Sequence, residues 1–248
     1  MVFNPKEVLK QTFGYEDFRQ GQSEIISSIV NKKNVLAIMP TGAGNSLCYP
    51  MPAIIGEKNT IVISPLVALM DDQVSALKQN KVSADRLHSH MTDTEIKEIW
   101  DSFCNGNIKI LYMSPEALMN QNKINVIKTL DIGLFVVDEA HCISKWGPGF
   151  RKDYEALSQL KEIFPNSNIS AFTATADKAT REDIMEKLTN NNCELVLQGF
   201  KRPNLSLSVY QKFNWKDQLL RFLSDRKGQS GIVYCLSRKN TEEVAKFL

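Results

Sequence analysis

An α/β fold, a parallel sheet covered by helices on both faces, is what the patterning of this chain predicts. Two observations carry that expectation. Short apolar runs alternate with amphipathic stretches along most of the sequence, the arrangement of repeated strand–helix units. Two of the runs also end in chemistry. Val35-Leu36-Ala37-Ile38 leads into Met39-Pro40-Thr41-Gly42-Ala43-Gly44-Asn45-Ser46, and Leu134-Phe135-Val136-Val137 ends in Asp138-Glu139-Ala140-His141. Open α/β sheets bind ligands at the carboxyl ends of their strands. Both places are therefore candidate parts of one site.

Taken in chain order, Val35–Ile38 is a buried strand, and Ser46-Leu47-Cys48-Tyr49 opens a helix after the glycine loop. Thr60–Ile63 is the next strand, followed by amphipathic helices over 66–79 and 92–104. Ile110–Met113 and Leu134–Val137 are strands of the same apolar kind. A helix follows over 153–163, then a strand at Asn168–Thr173 and a helix over 177–189. A Pro-containing linker from Gly199 to Asn204 marks a boundary near 200–210. Beyond it, Leu205–Tyr210, a helix near 215–225 and Gly231–Cys235 read as the beginning of a second α/β unit. The expected domains are 1–204 and 205–248. The second is too short for a whole unit of this kind, which needs roughly 120–150 residues, so the chain reads as a fragment. It has no internal repeat and no low-complexity tract.

The loop after the first strand has the setting in which backbone N–H groups cradle phosphates. Gly42 and Gly44 allow close backbone approach, and Thr41, Ala43 and Ser46 complete the cradle, Ser46 with a hydroxyl suited to Mg²⁺. The strict phosphate-loop pattern has a first glycine where Met39 stands and a lysine where Asn45 stands. That lysine normally meets the β/γ-phosphates as a point charge, and an amide carries no charge at any pH. A glycine-rich strand-to-helix turn with no ligand would share the loop's pattern. Asp138 and Glu139 at a second strand end select the nucleotide reading. Asp138 suits Mg²⁺, held directly or through water, and Glu139 suits orientation or deprotonation of an attacking water.

Composition agrees and sets limits. The chain has 248 residues, 43% apolar and 23% charged, as in soluble globular proteins with a packed core. A net charge of +2 gives no general basic footprint, so nucleic-acid contact would have to come from local patches. Five scattered cysteines form neither a disulfide framework nor a C-x-x-C metal site and read as small apolar residues in a reducing compartment. His88 and His90 lack a third metal ligand nearby and read as loop or surface residues. With no charged-then-apolar leader and no apolar stretch of membrane length, the expected location is cytoplasmic (nucleoid) or nuclear, neither secreted nor membrane-bound.

Asp138-Glu139-Ala140-His141-Cys142-Ile143-Ser144-Lys145-Trp146-Gly147 resembles the DEAH element and following aromatic loop of RecQ-type DNA helicases, in helicase superfamily 2. The resemblance continues in the family's order across nearly the whole chain. Phe13–Gln22 resembles its adenine-recognition motif, Ser64–Val74 its motif Ia and Ser114-Pro115-Glu116 its motif Ib. Thr173-Ala174-Thr175-Ala176 resembles motif III, Phe200–Asn204 the junction between two motor domains, and Val233–Arg238 motif IV. The resemblance implies a RecA-like P-loop NTPase domain plus the start of a second one. It implies an ATP-dependent 3′–5′ helicase using ATP and Mg²⁺ on single-stranded or forked DNA, with Asp138, Glu139 and His141 catalytic.

The residues allow roles to be argued beside the resemblance. Tyr15 offers a stacking platform for adenine and Gln22 a donor–acceptor pair for its edge, while Arg19 supports that pocket or meets a phosphate. Phe18 reads as packing beneath the first helix. Ser64-Pro65 and Ser114-Pro115 follow strands, where small hydroxyl residues suit contact with DNA phosphates. Trp146, Phe150 and Arg151 place two rings and a cation in one loop, a surface suited to stacking bases. Burial of Trp146 in the core is the alternative. The chain departs from its relatives in Asn45, in Pro148-Gly149 where His-Asp is usual, in Lys145 for glutamine and in Ala117 for arginine. The loop is the family's reporter of bound DNA to the ATP site, so these departures bear on coupling.

Overall fold

In the computed structural model, residues 4–248 are described, apart from 41, 89, 147, 148, 150 and 200–204. The chain divides into two compact units, Met1–Lys201 and Arg202–Leu248.

The first unit is built on a seven-stranded sheet. Its strands are β1 (Val35–Ile38), β2 (Asn59–Ile63), β3 (Ala84–Leu87), β4 (Ile110–Met113), β5 (Ile132–Val137), β6 (Asn168–Thr173) and β7 (Glu194–Leu197). They lie in the order β3-β4-β2-β5-β6-β1-β7, and every pairing is parallel. Alternate residues of the central strands feed two cores. Leu36 and Ile38 of β1 join Phe135 and Val137 of β5 on one face. Val35 and Ala37 join Leu134 and Val136 on the other. Burial on both faces is why these strands read as unbroken apolar runs.

Helices cover both faces. Val67–Gln79, Asp93–Cys104 and Lys178–Thr189 form close to where their periodicity places them. Asp93–Cys104 begins with a reciprocal cap in which the Thr92 hydroxyl accepts from the Glu95 N–H while the Glu95 carboxylate accepts from the Thr92 N–H. The helix expected over 153–163 is interrupted: Lys152–Glu155 and Leu160–Ile163 are α-helical, with a 3-10 turn at Ala156–Gln159 between them. An amino-terminal pair, Pro5–Phe13 and Gln22–Val30, packs Leu9 and Ile26 against Met51, with Phe18 alongside.

The fold places three candidate loops side by side. β5, β6 and β1 are neighbours, so the segments leaving their carboxyl ends emerge together. The Met39 N–H donates to the Thr173 carbonyl (3.0 Å) and the Asp138 N–H to the Ile63 carbonyl (2.9 Å), extending the sheet's order into those loops.

The second unit contains the helices Trp215–Ser224 and Arg238–Phe247, with the rings of Trp215 and Phe247 in edge contact at 5.7 Å. The strands expected at Leu205–Tyr210 and Gly231–Cys235 are not formed. Those segments carry no regular secondary structure, and Leu207, Val209, Tyr234 and Leu236 are exposed. Of the expected linker from Gly199 to Asn204, residues 200–204 lie outside the described residues.

Candidate nucleotide and nucleic-acid site

The glycine loop enters from β1 and ends where Asn45 starts the short helix Asn45–Cys48. Gly42 and Gly44 have φ of +83° and +89°, the left-handed region that favours glycine. Gly44 is doubly constrained, because a Cβ there would lie 2.5 Å from Gln22 Nε2. Thr41 lies outside the described residues. Ser46 is exposed and Ala43 half-buried. Asn45 turns back on its own helix, its Oδ1 accepting the Ser46 N–H at 3.0 Å. One donor of the helix start is thus engaged by the side chain that replaces lysine.

Gln22 and Arg19 hold this loop from outside. The Gln22 amide donates to the Gly44 carbonyl (2.8 Å) and accepts the Arg19 N–H (2.8 Å), while Arg19 Nη1 donates to the Gly42 carbonyl (2.9 Å). Gln22 is only 2% exposed. Its amide keeps one proton and one lone pair for a further partner. Arg19, read from sequence as pocket support or phosphate contact, meets a loop carbonyl. Tyr15, 56% exposed, joins Arg19, Gln22, Gly44, Ser46 and Leu47 around a cavity of about 290 Å³. That volume suits a base rather than a whole nucleotide. A more spacious cavity, about 490 Å³, opens beside Thr60, Gly133 and Asn168 at the amino ends of the strands, away from these residues.

Across β6, the acidic turn follows β5. Asp138 is buried, and its Oδ1 accepts the Glu139 N–H at 3.0 Å. Burial first, and the neighbouring Glu139 charge second, push its carboxyl up to about 6. Glu139 is left-handed, with φ 49° and ψ 44°, a conformation that costs a non-glycine residue roughly 1–3 kcal/mol. His141 Nδ1 lies 2.8 Å from Thr173 Oγ1 and 3.3 Å from Glu139 Oε2. The Cys142 sulfur and then the Glu139 carboxylate push the imidazole up to about 10. Imidazole nitrogen and hydroxyl can each donate or accept at this contact, so it forms in any tautomer of the ring. The first unit therefore links the acidic turn to the Thr173–Ala176 segment by a direct bond.

The residues fit a divalent cation. A desolvated carboxylate beside a second carboxylate concentrates negative charge that Mg²⁺ would relieve, and Ser46 offers an oxygen ligand of the right hardness. No group of three or more metal-binding side chains occurs among the described residues.

The expected nucleic-acid residues divide sharply. Trp146 is 75% exposed, so the core alternative fails for it. Arg151 is exposed too, and its Nη1 donates to the Pro65 carbonyl (3.3 Å), tying the aromatic loop to the Ser64-Pro65 turn. Ser114 is half-buried, its Oγ accepting the Ala117 N–H (3.3 Å) as the cap of a short helix. Ser64 is a correction: it is 1% exposed with its hydroxyl enclosed, and its N–H donates to the Met113 carbonyl (3.1 Å), so the side chain cannot meet a phosphate. Phe150, Pro148 and Gly147 lie outside the described residues. Gly149 has φ +90° and faces His141, so this loop takes a path that favours glycine at that position.

Two groups escaped the sequence reading. Tyr154, wholly buried, donates from its hydroxyl to the Asp138 carbonyl at 3.0 Å. Lys187 Nζ donates to the Ile143 carbonyl (3.1 Å) and pairs with Asp183 (2.9 Å). Neither has a local signal, since both reach the site from other elements. Of the five cysteines, all free, Cys48 and Cys142 are buried and the rest half-buried. His88 lies 3.8 Å from Asp71 and against the His90 ring. Among the described residues no helix is long and apolar enough to cross a membrane.

Known proteins resemble this chain in sequence and in fold. Residues 19–184 match the DEAD/DEAH box helicase family. The chain is 44% identical over 242 residues to the ATP-dependent DNA helicase RecQ of Pasteurella multocida, covering 98% of this chain and 38% of that protein. It is 42% identical over 241 residues to the RecQ of Haemophilus influenzae, covering 97% and 39%. The chain thus spans about two fifths of the length of these relatives. The helicase MrfA shares the fold, with a TM-score of 0.71 at 17% identity over 98% of this chain and 40% of that one. By sequence, the chain belongs to the DEAD/DEAH box helicase family, in its RecQ-type branch.

Proposed function

We propose that this chain binds adenine nucleotide with Mg²⁺ and single-stranded DNA as the motor region of a RecQ-type 3′–5′ helicase, with catalysis impaired at Asn45. The observation that carries the reading is the meeting of the glycine loop, Asp138-Glu139-His141 and Thr173 at the ends of three adjacent strands. Tyr15 and the free half of the Gln22 amide receive adenine, and the left-handed Gly42 and Gly44 shape the phosphate cradle. Ser46 and Asp138 hold Mg²⁺, which neutralises charge on the phosphate oxygens. Glu139 orients or deprotonates the attacking water, and His141 ties it to Thr173. Trp146 and Arg151, with Phe150 and Ser114, meet DNA, which in the intact enzyme is single-stranded or forked.

Asn45 removes one preorganised charge from the transition state, a loss on the order of 10²–10³ in rate. Purified protein is expected to bind Mg·ADP measurably by calorimetry and to hydrolyse ATP negligibly with or without DNA. DNA-stimulated turnover comparable to that of a lysine-bearing loop would reject the impairment, and absence of any nucleotide binding would reject the site. A second reading, a non-catalytic DNA- or partner-binding remnant, draws on the Asn45 side chain being folded onto Ser46. DNA binding that persists without nucleotide binding would favour it.

A further inference from the structure

Four hydrogen bonds close a ring around the base of the aromatic loop. The Tyr154 hydroxyl donates to the Asp138 carbonyl (3.0 Å), and the Tyr154 N–H to the Arg151 carbonyl (3.0 Å). The Arg151 N–H donates to the Cys142 carbonyl, and the Cys142 N–H to the Glu139 carbonyl, both at 2.9 Å. The segment that carries Trp146 therefore leaves and rejoins the fold within one closed circuit, which also contains Asp138 and Glu139. The paired residues of β5 and β6 end at Val137 and Ala171, so the Asp138 carbonyl lies past the end of that ladder. A wholly buried tyrosine supplies the donor to that carbonyl. The peptide it grips is the one that leads into Glu139, at φ 49°. A strained conformation of this kind persists only where the surroundings over-determine it.

We propose that Tyr154 is a positioning residue: its hydroxyl holds the Asp138–Glu139 peptide so that Glu139 keeps its left-handed conformation and both carboxylates face the nucleotide. The role of those carboxylates rests on the function proposed above, whereas the hold itself does not. The hold also gives the aromatic loop a path to the acidic turn that does not use the side chains replaced by Pro148-Gly149. Any shift of Arg151 moves the helix start that carries Tyr154, and with it the Asp138 carbonyl.

Tyr154→Phe tests this, because phenylalanine fills the same space and deletes only the oxygen. Amide hydrogen exchange of the whole chain reads the hold directly. The amides of Glu139, Cys142 and Ser144 should exchange roughly threefold to tenfold faster in the variant, the scale of one net hydrogen bond. Amides in β1 and β2 should be unchanged. Calorimetric titration with ADP in Mg²⁺ and in EDTA reads the consequence. The gain in affinity that Mg²⁺ confers should fall about threefold, with affinity in EDTA unchanged, a split that general loosening would not produce. Unchanged exchange at Glu139–Ser144 overturns the proposal whatever the nucleotide does. Faster exchange with the Mg²⁺ gain intact overturns the claim that Tyr154 positions the carboxylates. Faster exchange in a protein whose wild type shows no Mg²⁺ gain supports the hold and instead refutes the metal reading of Asp138.

Discussion

At the residue scale, Asp138 shows how a site is maintained at the expense of the fold. Its carboxyl is raised to about 6 from an ordinary 3.8, chiefly by burial. The folded state therefore binds this proton more tightly than the unfolded chain does. The group's contribution to stability is full below pH 4 and is lost as pH rises through 6. The difference corresponds to roughly 3 kcal/mol, at about 1.4 kcal/mol per pH unit. Asp138→Asn keeps the acceptor for the Glu139 N–H and removes the buried charge. The variant is expected to be the more stable protein at pH 8, by up to about 3 kcal/mol in urea unfolding, and equal to wild type at pH 4. A stability difference that does not vary with pH would refute this. At Asn45 the expected change has the opposite aim. Asn45→Lys should tighten ATP more than ADP, because the added charge meets the terminal phosphates. In the wild type, ADP should bind as well as ATP or better. Gln22→Ala should weaken both nucleotides by roughly 1–3 kcal/mol, since it strips the adenine edge and leaves the Gly44 carbonyl without its donor. It should also erode the preference for ADP over GDP. Equal affinity of the wild type for ADP and GDP would mean that the cavity beside Tyr15 does not read adenine.

At the element scale, what the sequence discloses depends on where a strand lies in the sheet. β1, β4 and the Leu134–Val137 stretch of β5 read clearly because both faces are buried and no residue interrupts the apolar run. The two edge strands were invisible. β3 is Ala84-Asp85-Arg86-Leu87, with its charged middle pair half-buried, and β7 begins with Glu194 and exposes Leu195 and Leu197. Edge strands carry charges and short lengths for reasons of negative selection against pairing, so the apolar signal that marks a central strand is missing from them. The same logic explains the site. Residues adjacent to strand ends, such as Asp138, Glu139 and the glycine loop, are legible, whereas Tyr154 and Lys187 reach in from elements remote in sequence. Ser64 was misread because its strand end is roofed by neighbouring structure. The aromatic loop gives the element-scale prediction. Trp146→Ala removes an exposed ring, so the melting temperature should stay within about 1 °C, as for surface changes generally. Affinity for single-stranded DNA should fall by roughly 1–3 kcal/mol, while binding by both proteins should weaken as salt rises, since phosphate contacts release counterions. A lower melting temperature with unchanged DNA affinity would return Trp146 to a packing role.

At the scale of the whole molecule, the two units differ in what holds them together. The buried residues of the three core clusters run from Leu9 to Val196, all within Met1–Lys201. The sheet, both helical layers and every pairing of the acidic turn belong to that unit as well. In Arg202–Leu248 neither helix has a buried residue, and apolar side chains such as Leu207, Val209, Tyr234 and Leu236 remain exposed. Segments rich in β-branched and aromatic residues that are not paired in a sheet cannot recover the backbone entropy of ordering, roughly 1–2 kcal/mol per residue. A chain ending at Lys201 is therefore expected to unfold in one cooperative transition and to keep its ADP affinity. A peptide of residues 205–248 should show weak helicity, no cooperative melt and strong binding of a hydrophobic dye. Circular dichroism melts of the two pieces, with ADP titrated into the longer one, decide the matter. Loss of cooperativity or of nucleotide binding on ending the chain at Lys201 would show that the first unit is not self-sufficient. A sharp melt of the peptide would show that the second unit has a core of its own.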